Sequence, residues 1–164
     1  MWAWLVQIGQ GRGGFYSYDL LENLSGLKIH STHRIEARLQ QLTPGDVIAV
    51  EPGGSGYTVV AVEPGRLLLL QLDGQGPGEM GAQFRVADAA STWAFTLQPQ
   101  TGGRTRLIAR WRARYPGPKS HSRLAFFIGI FLEPIQFFME RKMLLGIRQR
   151  AEKDHDALRS QDPM

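Results

Sequence analysis

The chain contains no cysteine. That excludes disulfides, thiolate metal sites and a cysteine nucleophile, and it fits a reducing compartment. No stretch reaches the ~18 uninterrupted apolar residues of a membrane-spanning helix. The nearest is residues 124–139, LAFFIGIFLEPIQFFM, which Glu133, Pro134 and Gln136 interrupt. It reads as a buried helix, with contact to a membrane surface as the alternative. There is no Gly-x-Ser-x-Gly elbow, no internal repeat and no linker marking a second domain. The net charge of +4 is spread over several segments rather than gathered in one block.

What is present suits one globular domain. The 164 residues are 43% hydrophobic and 21% charged, enough for a real core. Nineteen glycines cluster between apolar runs, which implies many tight turns. Residues 2–8 are apolar and too short for periodicity to separate helix from strand. Residues 16–27 read as a short helix, capped by Ser17 and ended by Gly26. Residues 28–45 are polar and irregular, with Thr43-Pro44-Gly45-Asp46 as a turn.

Strand patterns follow at 47–51, 57–63 and 67–72, with a short one at 83–88. Residues 92–98 alternate clearly, with Trp93, Phe95 and Leu97 on one face. Residues 99–103 form a hairpin loop. Residues 104–114 alternate again: Thr105, Leu107, Ala109, Trp111 and Ala113 share one face, and Arg104, Arg106, Arg110, Arg112 and Arg114 the other, with Ile108 among them. A long helix is expected over 123–152, kinked or split by Pro134. Residues 153–164 read as a polar flexible tail. The order is α+β: short helices, antiparallel strands, then one long helix.

One segment invites a nucleotide site. Gly9-x-Gly11-x-x-Gly14 follows an apolar run and has the spacing of the dinucleotide-binding fingerprint. The setting is wrong. Strands joined by short turns are antiparallel, whereas that fold needs long crossovers. Phe15, Tyr16 and Tyr18 are bulky where a pyrophosphate needs open backbone. The expected role is a glycine-rich connection between two short helices, with aromatics packed over it.

The remaining candidates are weaker. His30, His33 and Glu36 keep three-residue spacing, but in a polar loop whose plainer account is solvation. No metal or other cofactor is expected. The arginine face of 104–114 has no interleaved aromatics for base stacking, so a solvated outer sheet face is expected and nucleic acid is not. Asp19, Glu133 and Glu140 are the candidate catalytic carboxylates. Glu133 and Glu140 are seven apart, on one helical face, where burial would raise a pKa. A structural salt bridge is the plainer role.

Taken in order, WAWLVQIGQGRGGFYSYDLLENLSGL, LTPGDVI, VVAVEPGRLLLL, TWAFTLQP, GRTRLIAR and LEPIQFFMERKMLLGIRQRAE resemble the bacterial SRPBCC proteins. These belong to the START/Bet v 1-like superfamily, often labelled polyketide cyclase or dehydrase-like. The resemblance covers residues 2–152 and is most specific around 11–19 and 133–146. It implies a helix-grip fold, with a curved antiparallel sheet gripping a long C-terminal helix around a cavity. It also implies a strand before the first helix, and often a hydrophobic segment upstream. Relatives commonly have valine at the position of Met1, whose GUG codon can start translation. The chain is thus expected to be N-terminally incomplete, by a misplaced gene start or a true truncation. A cytoplasmic location is expected for the chain as it stands, and a membrane-associated one if a hydrophobic segment precedes it.

The function expected is binding of a small hydrophobic, lipid- or polyketide-like molecule between sheet and helix. Trp93, Phe95, Trp111, Phe137 and Met143 are expected to line the pocket, with Tyr16, Tyr18 and Arg110 as polar groups. The alternatives are a cyclase- or dehydratase-type enzyme using a pocket carboxylate and tyrosine, and a membrane-peripheral protein docking through 124–139. An exposed strand at 104–114 would also offer an edge for a homodimer.

Overall fold

The computed structural model describes residues 1–18, 30–53, 56–73, 90–114 and 123–160, of which 73, 114, 123–133, 135, 136 and 158 are described by their backbone alone. Its elements are helix α1 (Trp2–Val6), a 3-10 turn (Ala37–Leu39), strands β1 (Val47–Ala49), β2 (Gly56–Glu63), β3 (Leu67–Asp73), β4 (Ala90–Pro99) and β5 (Thr105–Arg114), and helix α2 (Arg123–Ser160). The strands form one open antiparallel sheet in the order β1-β2-β3-β4-β5. The fold is α+β, with a five-stranded meander and a long C-terminal helix.

Alternation decides which sheet face is buried. Ile48, Val59, Leu68, Leu70, Trp93, Phe95 and Leu97 all point inward and are at most 6% exposed. They meet Trp4, Leu5, Ile8 and Tyr16 from the N-terminal segment and Met143 and Ile147 from α2. Met143 and Ile147 are four apart, so they stack on one stripe of the helix. These residues form one contiguous buried cluster, and a side chain of leucine size contributes roughly 2 kcal/mol by leaving water.

Several expectations are corrected. Residues 2–6, where the sequence leaves helix and strand open, are helical, with Trp4, Leu5 and Val6 all buried. Tyr16, Ser17 and Tyr18 are not helical, and the Ser17 hydroxyl donates to the Met139 carbonyl (3.1 Å) rather than capping. The rest of the expected 16–27 helix, with Gly26, and the expected 83–88 strand lie outside the described residues. α2 passes through Pro134 unbroken and extends to Ser160. Residues 153–160 are therefore helix, not flexible tail. Trp4 holds that end, its Nε1 donating to Asp154 Oδ2 at 2.7 Å.

The glycine segment 9–14 is a closed loop. Gly9 and Gly14 pair as an isolated antiparallel bridge, each N–H donating to the other's carbonyl at 3.0 Å. Gln10 N–H donates to Ala49, Arg12 N–H to Gly9 and Gly13 N–H to Gln7. Amides spent inward in this way are not offered to a phosphate. Gly9 (φ 125°) and Gly14 (φ 76°) adopt backbone that favours glycine. Arg12 completes the turn. Its guanidinium donates to the carbonyls of Val6, Ile8 and Leu39, tying the end of α1 to the 3-10 turn. Burial holds its pKa below the usual arginine value, against the opposing pull of Asp46.

Candidate functional site

β5 has a sheet partner on one side only among the described residues, β4. Its inward face carries Leu107, Ala109 and Trp111, all half-buried. α2 runs alongside and presents Phe137, Glu140, Leu144 and Arg148, spaced three or four apart on one helical stripe. Between them lies a cleft of about 1400 Å³. Leu107, Ala109, Phe137 and Leu144 form its apolar surface, and Phe137 is 61% exposed. The rest of its lining is charged, with Arg104, Arg141, Arg148 and Arg159 set among Glu152 and Asp156, and Arg148 is paired to Glu152 at 2.8 Å.

Behind the cleft is an aromatic group on the inner sheet face. Tyr57, Trp93 and Phe95 follow one another with ring centroids 5.6 and 4.7 Å apart. Trp111 Nε1 donates to the Tyr57 hydroxyl at 3.0 Å. Trp93 Nε1 donates to Glu140 Oε1, also at 3.0 Å. Glu140 therefore joins the cleft to the core. It satisfies a buried indole donor and so has a structural task.

The expected site residues divide three ways. Phe137 and Glu140 line the cleft, and Trp93 reaches it through Glu140. Phe95 and Met143 are 0% and 2% exposed in the packed core, and Trp111 packs against its edge. Tyr16, Tyr18 and Arg110 lie elsewhere. Arg110 is exposed on the outer sheet face, because alternation turns it away from Ala109 and Trp111. Tyr18 is 42% exposed, its ring under the Lys142 ammonium at 5.7 Å. Asp19 and the Glu133 side chain lie outside the described residues. Leu107, Ala109, Leu144 and Arg148 are cleft residues that the sequence reading left out. The signal was there: the first two share the apolar face of 104–114, and the others continue the Phe137–Glu140 stripe.

Tyr16 belongs to a second, structural cluster. Its hydroxyl accepts from Gln7 Nε2 (2.9 Å), and the Arg150 guanidinium lies 4.4 Å from its ring centre. Gln7 is fully buried and fully engaged. It also donates to the Arg34 carbonyl and accepts from Glu36 N–H and Gln40 Nε2. Burial pushes the Tyr16 pKa up to about 12, with the Gln7 bond and Arg150 opposing. A phenol held neutral that firmly is a poor general base. Tyr16 has φ 55°, a conformation rare for a bulky residue. Its amide is held by Ser31 Oγ at 3.0 Å, and its carbonyl faces Gly146 of α2. The N-terminal segment and α2 thus cross at this point.

The His30, His33 and Glu36 spacing does not assemble a site. Glu36 is paired to Arg38 at 2.6 Å, and no group of three or more potential metal-ligating side chains occurs among the described residues. No helix among them is long and apolar enough to cross a membrane. Compared with protein-family models, curated proteins and solved structures, the chain matches none.

Proposed function

We propose that this protein is a helix-grip domain of the SRPBCC type that binds a small hydrophobic molecule in the cleft between β5 and α2. One observation carries the reading: Leu107, Ala109, Phe137 and Leu144 meet in a 1400 Å³ cleft that the packed core does not fill. Ligand sites are concave, mostly apolar and edged by a few polar groups, and drug-sized ligands occupy roughly 300–1,000 Å³. Trp93, Phe95 and Met143 then act as the wall behind the site rather than its lining.

Titration with a fluorescent apolar dye such as anilinonaphthalene sulfonate, followed by displacement with fatty acids, tests this. Ala109→Trp and Leu144→Trp should each fill the cleft and reduce dye binding at least tenfold without lowering Tm. Dye binding that both variants leave intact would overturn the assignment. Native mass spectrometry of protein purified from its own host then identifies the occupant.

A second reading rests on Phe137 and Phe138, 61% and 60% exposed with their rings in edge contact at 5.8 Å. Adjacent exposed aromatics beside Arg141 and Lys142 suit a peripheral membrane contact. Vesicle flotation with wild type and Phe138→Ser separates the readings, since Phe138 does not line the cleft.

A further inference from the structure

Glu140 lines the cleft between β5 and α2 as a carboxylate without a counter-ion. Its Oε1 accepts from Trp93 Nε1 at 3.0 Å. Among the described residues no ion pair includes it, so the salt bridge that its sequence position suggests does not form there. Its Oε2 has no hydrogen-bond partner among those residues. Its neighbours on the helical stripe are apolar: Phe137 three residues before and Leu144 four after, with Leu107 and Ala109 on the opposite wall. The next charge on that stripe is Arg148, about 12 Å further along the axis and already paired with Glu152. Arg141 also lines the cleft, but it is exposed and turned about 100° round the helix from Glu140. The indoles behind offer no donor. Trp93 N–H is spent on Glu140 and Trp111 N–H on the Tyr57 hydroxyl. The apolar part of the cleft thus presents an acceptor set among hydrocarbon. Alternation along β5 and the period of α2 fix this face, so it is the same whatever pairs with the edge of β5.

We propose that Glu140 determines which ligand the cleft accepts: an apolar molecule carrying an uncharged hydroxyl, which donates to Glu140 Oε2. Hydrocarbon alone would strip water from a carboxylate and return nothing, whereas a hydroxyl replaces that water. A site built around one hydrogen bond rejects an analogue lacking it far more strongly than it rejects a missing methylene. A carboxylic acid would set like charge against Glu140. An ammonium would suit Glu140 but would enter a lining that also holds Arg104, Arg141, Arg148 and Arg159, against Glu152 and Asp156. The uncharged donor meets neither cost. Glu140 then has two tasks, one oxygen holding the Trp93 indole and the other selecting the ligand. The second task rests on the cleft's being a ligand site.

The test uses the full chain, the anilinonaphthalene sulfonate dye and four competitors of one chain length: 1-decanol, decyl methyl ether, decanoate and decylamine. The ether matches the alcohol but lacks the donor. The alcohol should displace the dye at a concentration about tenfold or more below that of each of the others. Glu140→Gln keeps an acceptor for Trp93 and offers an amide N–H in place of the second oxygen. It should bring alcohol and ether to within about threefold of each other and improve decanoate by about tenfold. A purely structural Glu140 would instead weaken all four competitors alike in that variant, which overturns the proposal. Equal displacement by alcohol and ether in the unmodified protein also overturns it, and that comparison needs no variant to fold. So does a preference for decylamine or decanoate. Any of these results with dye binding still blocked by Ala109→Trp removes the role of Glu140 and keeps the ligand cleft. Dye binding that ignores Ala109→Trp removes both.

Discussion

Gly146→Ala is the substitution with the clearest consequence. Helix propensity alone favours it, because alanine replaces glycine inside α2 at a gain of about 1 kcal/mol. The tertiary contact opposes it. A Cβ at 146 would stand 2.5 Å from the Tyr16 carbonyl oxygen and 2.8 Å from Tyr16 Cβ. Ordinary contacts need roughly 3.4 Å or more, so α2 and the N-terminal segment must separate by most of an ångström. Tyr16 has little room to yield. Its amide is bonded to Ser31 and its hydroxyl to Gln7, and its ring is covered by Arg150. A gap of that size forfeits a quarter to a half of the dispersion energy across the layer. That layer includes Trp4, Tyr16, Met143 and Ile147. Overpacking costs about 1–3 kcal/mol, occasionally more, and here the backbone obstruction places it at the upper end. The expected net is a loss of about 2 kcal/mol, or ~4–8 °C in Tm. Urea titration with Lys153→Ala as an exposed control on the same helix is the assay, and the control should move by less than about 0.5 kcal/mol. A Gly146→Ala protein as stable as wild type, or more so, would refute the reasoning.

Four further outcomes follow from the structure. Gly11 has open space around its Cα but φ 70°, so Gly11→Asn should be nearly neutral and Gly11→Val should cost about 1–2 kcal/mol in urea melts. Gly13→Ala should cost more than Gly11→Asn, since its Cβ would lie 2.7 Å from the Gln7 carbonyl. Because the folded-state pKa of Tyr16 is raised from 10.0 to about 12, its contribution is complete below pH 10 and is lost as pH rises toward 12. Stability should fall across that window by no more than about 3 kcal/mol, and Tyr16→Phe should shrink the fall. Asp154→Ala should remove the acceptor for the Trp4 indole, cost about 1–2 kcal/mol and speed amide exchange near residues 154–160 without altering β5.

Much of the frame was legible from local pattern. The alternation of 92–98 and 104–114 placed Trp93, Phe95 and Leu97 inward and the arginines outward, because a strand's two-residue period is a local property. The glycine loop was also readable as a connection rather than a nucleotide cradle, since its surroundings were antiparallel. Its mechanism was not. The amides are turned inward by partners at Gln7 and Ala49, and no periodicity reports a partner forty residues away. The length of α2 was misjudged for a related reason. Polar composition suggested fraying after residue 152, but one indole from the opposite end of the chain bonds Asp154.

The candidate site shows the same division. Sequence alone determined which side chains are apolar, which face of each strand or helix they share, and that the chain is α+β. Tertiary structure decided which of those apolar residues are spent on the core and which are left over. Phe95 and Met143 looked like pocket lining and are instead sealed against each other's layer, while Leu107, Ala109 and Leu144 remain partly open in the cleft. The physical reason is that burial is a property of neighbours. β5 has a strand on one side only among the described residues, and α2 is pinned to the N-terminal segment where Tyr16 crosses Gly146. These two long-range facts open the cleft, and neither is written in any local run of residues.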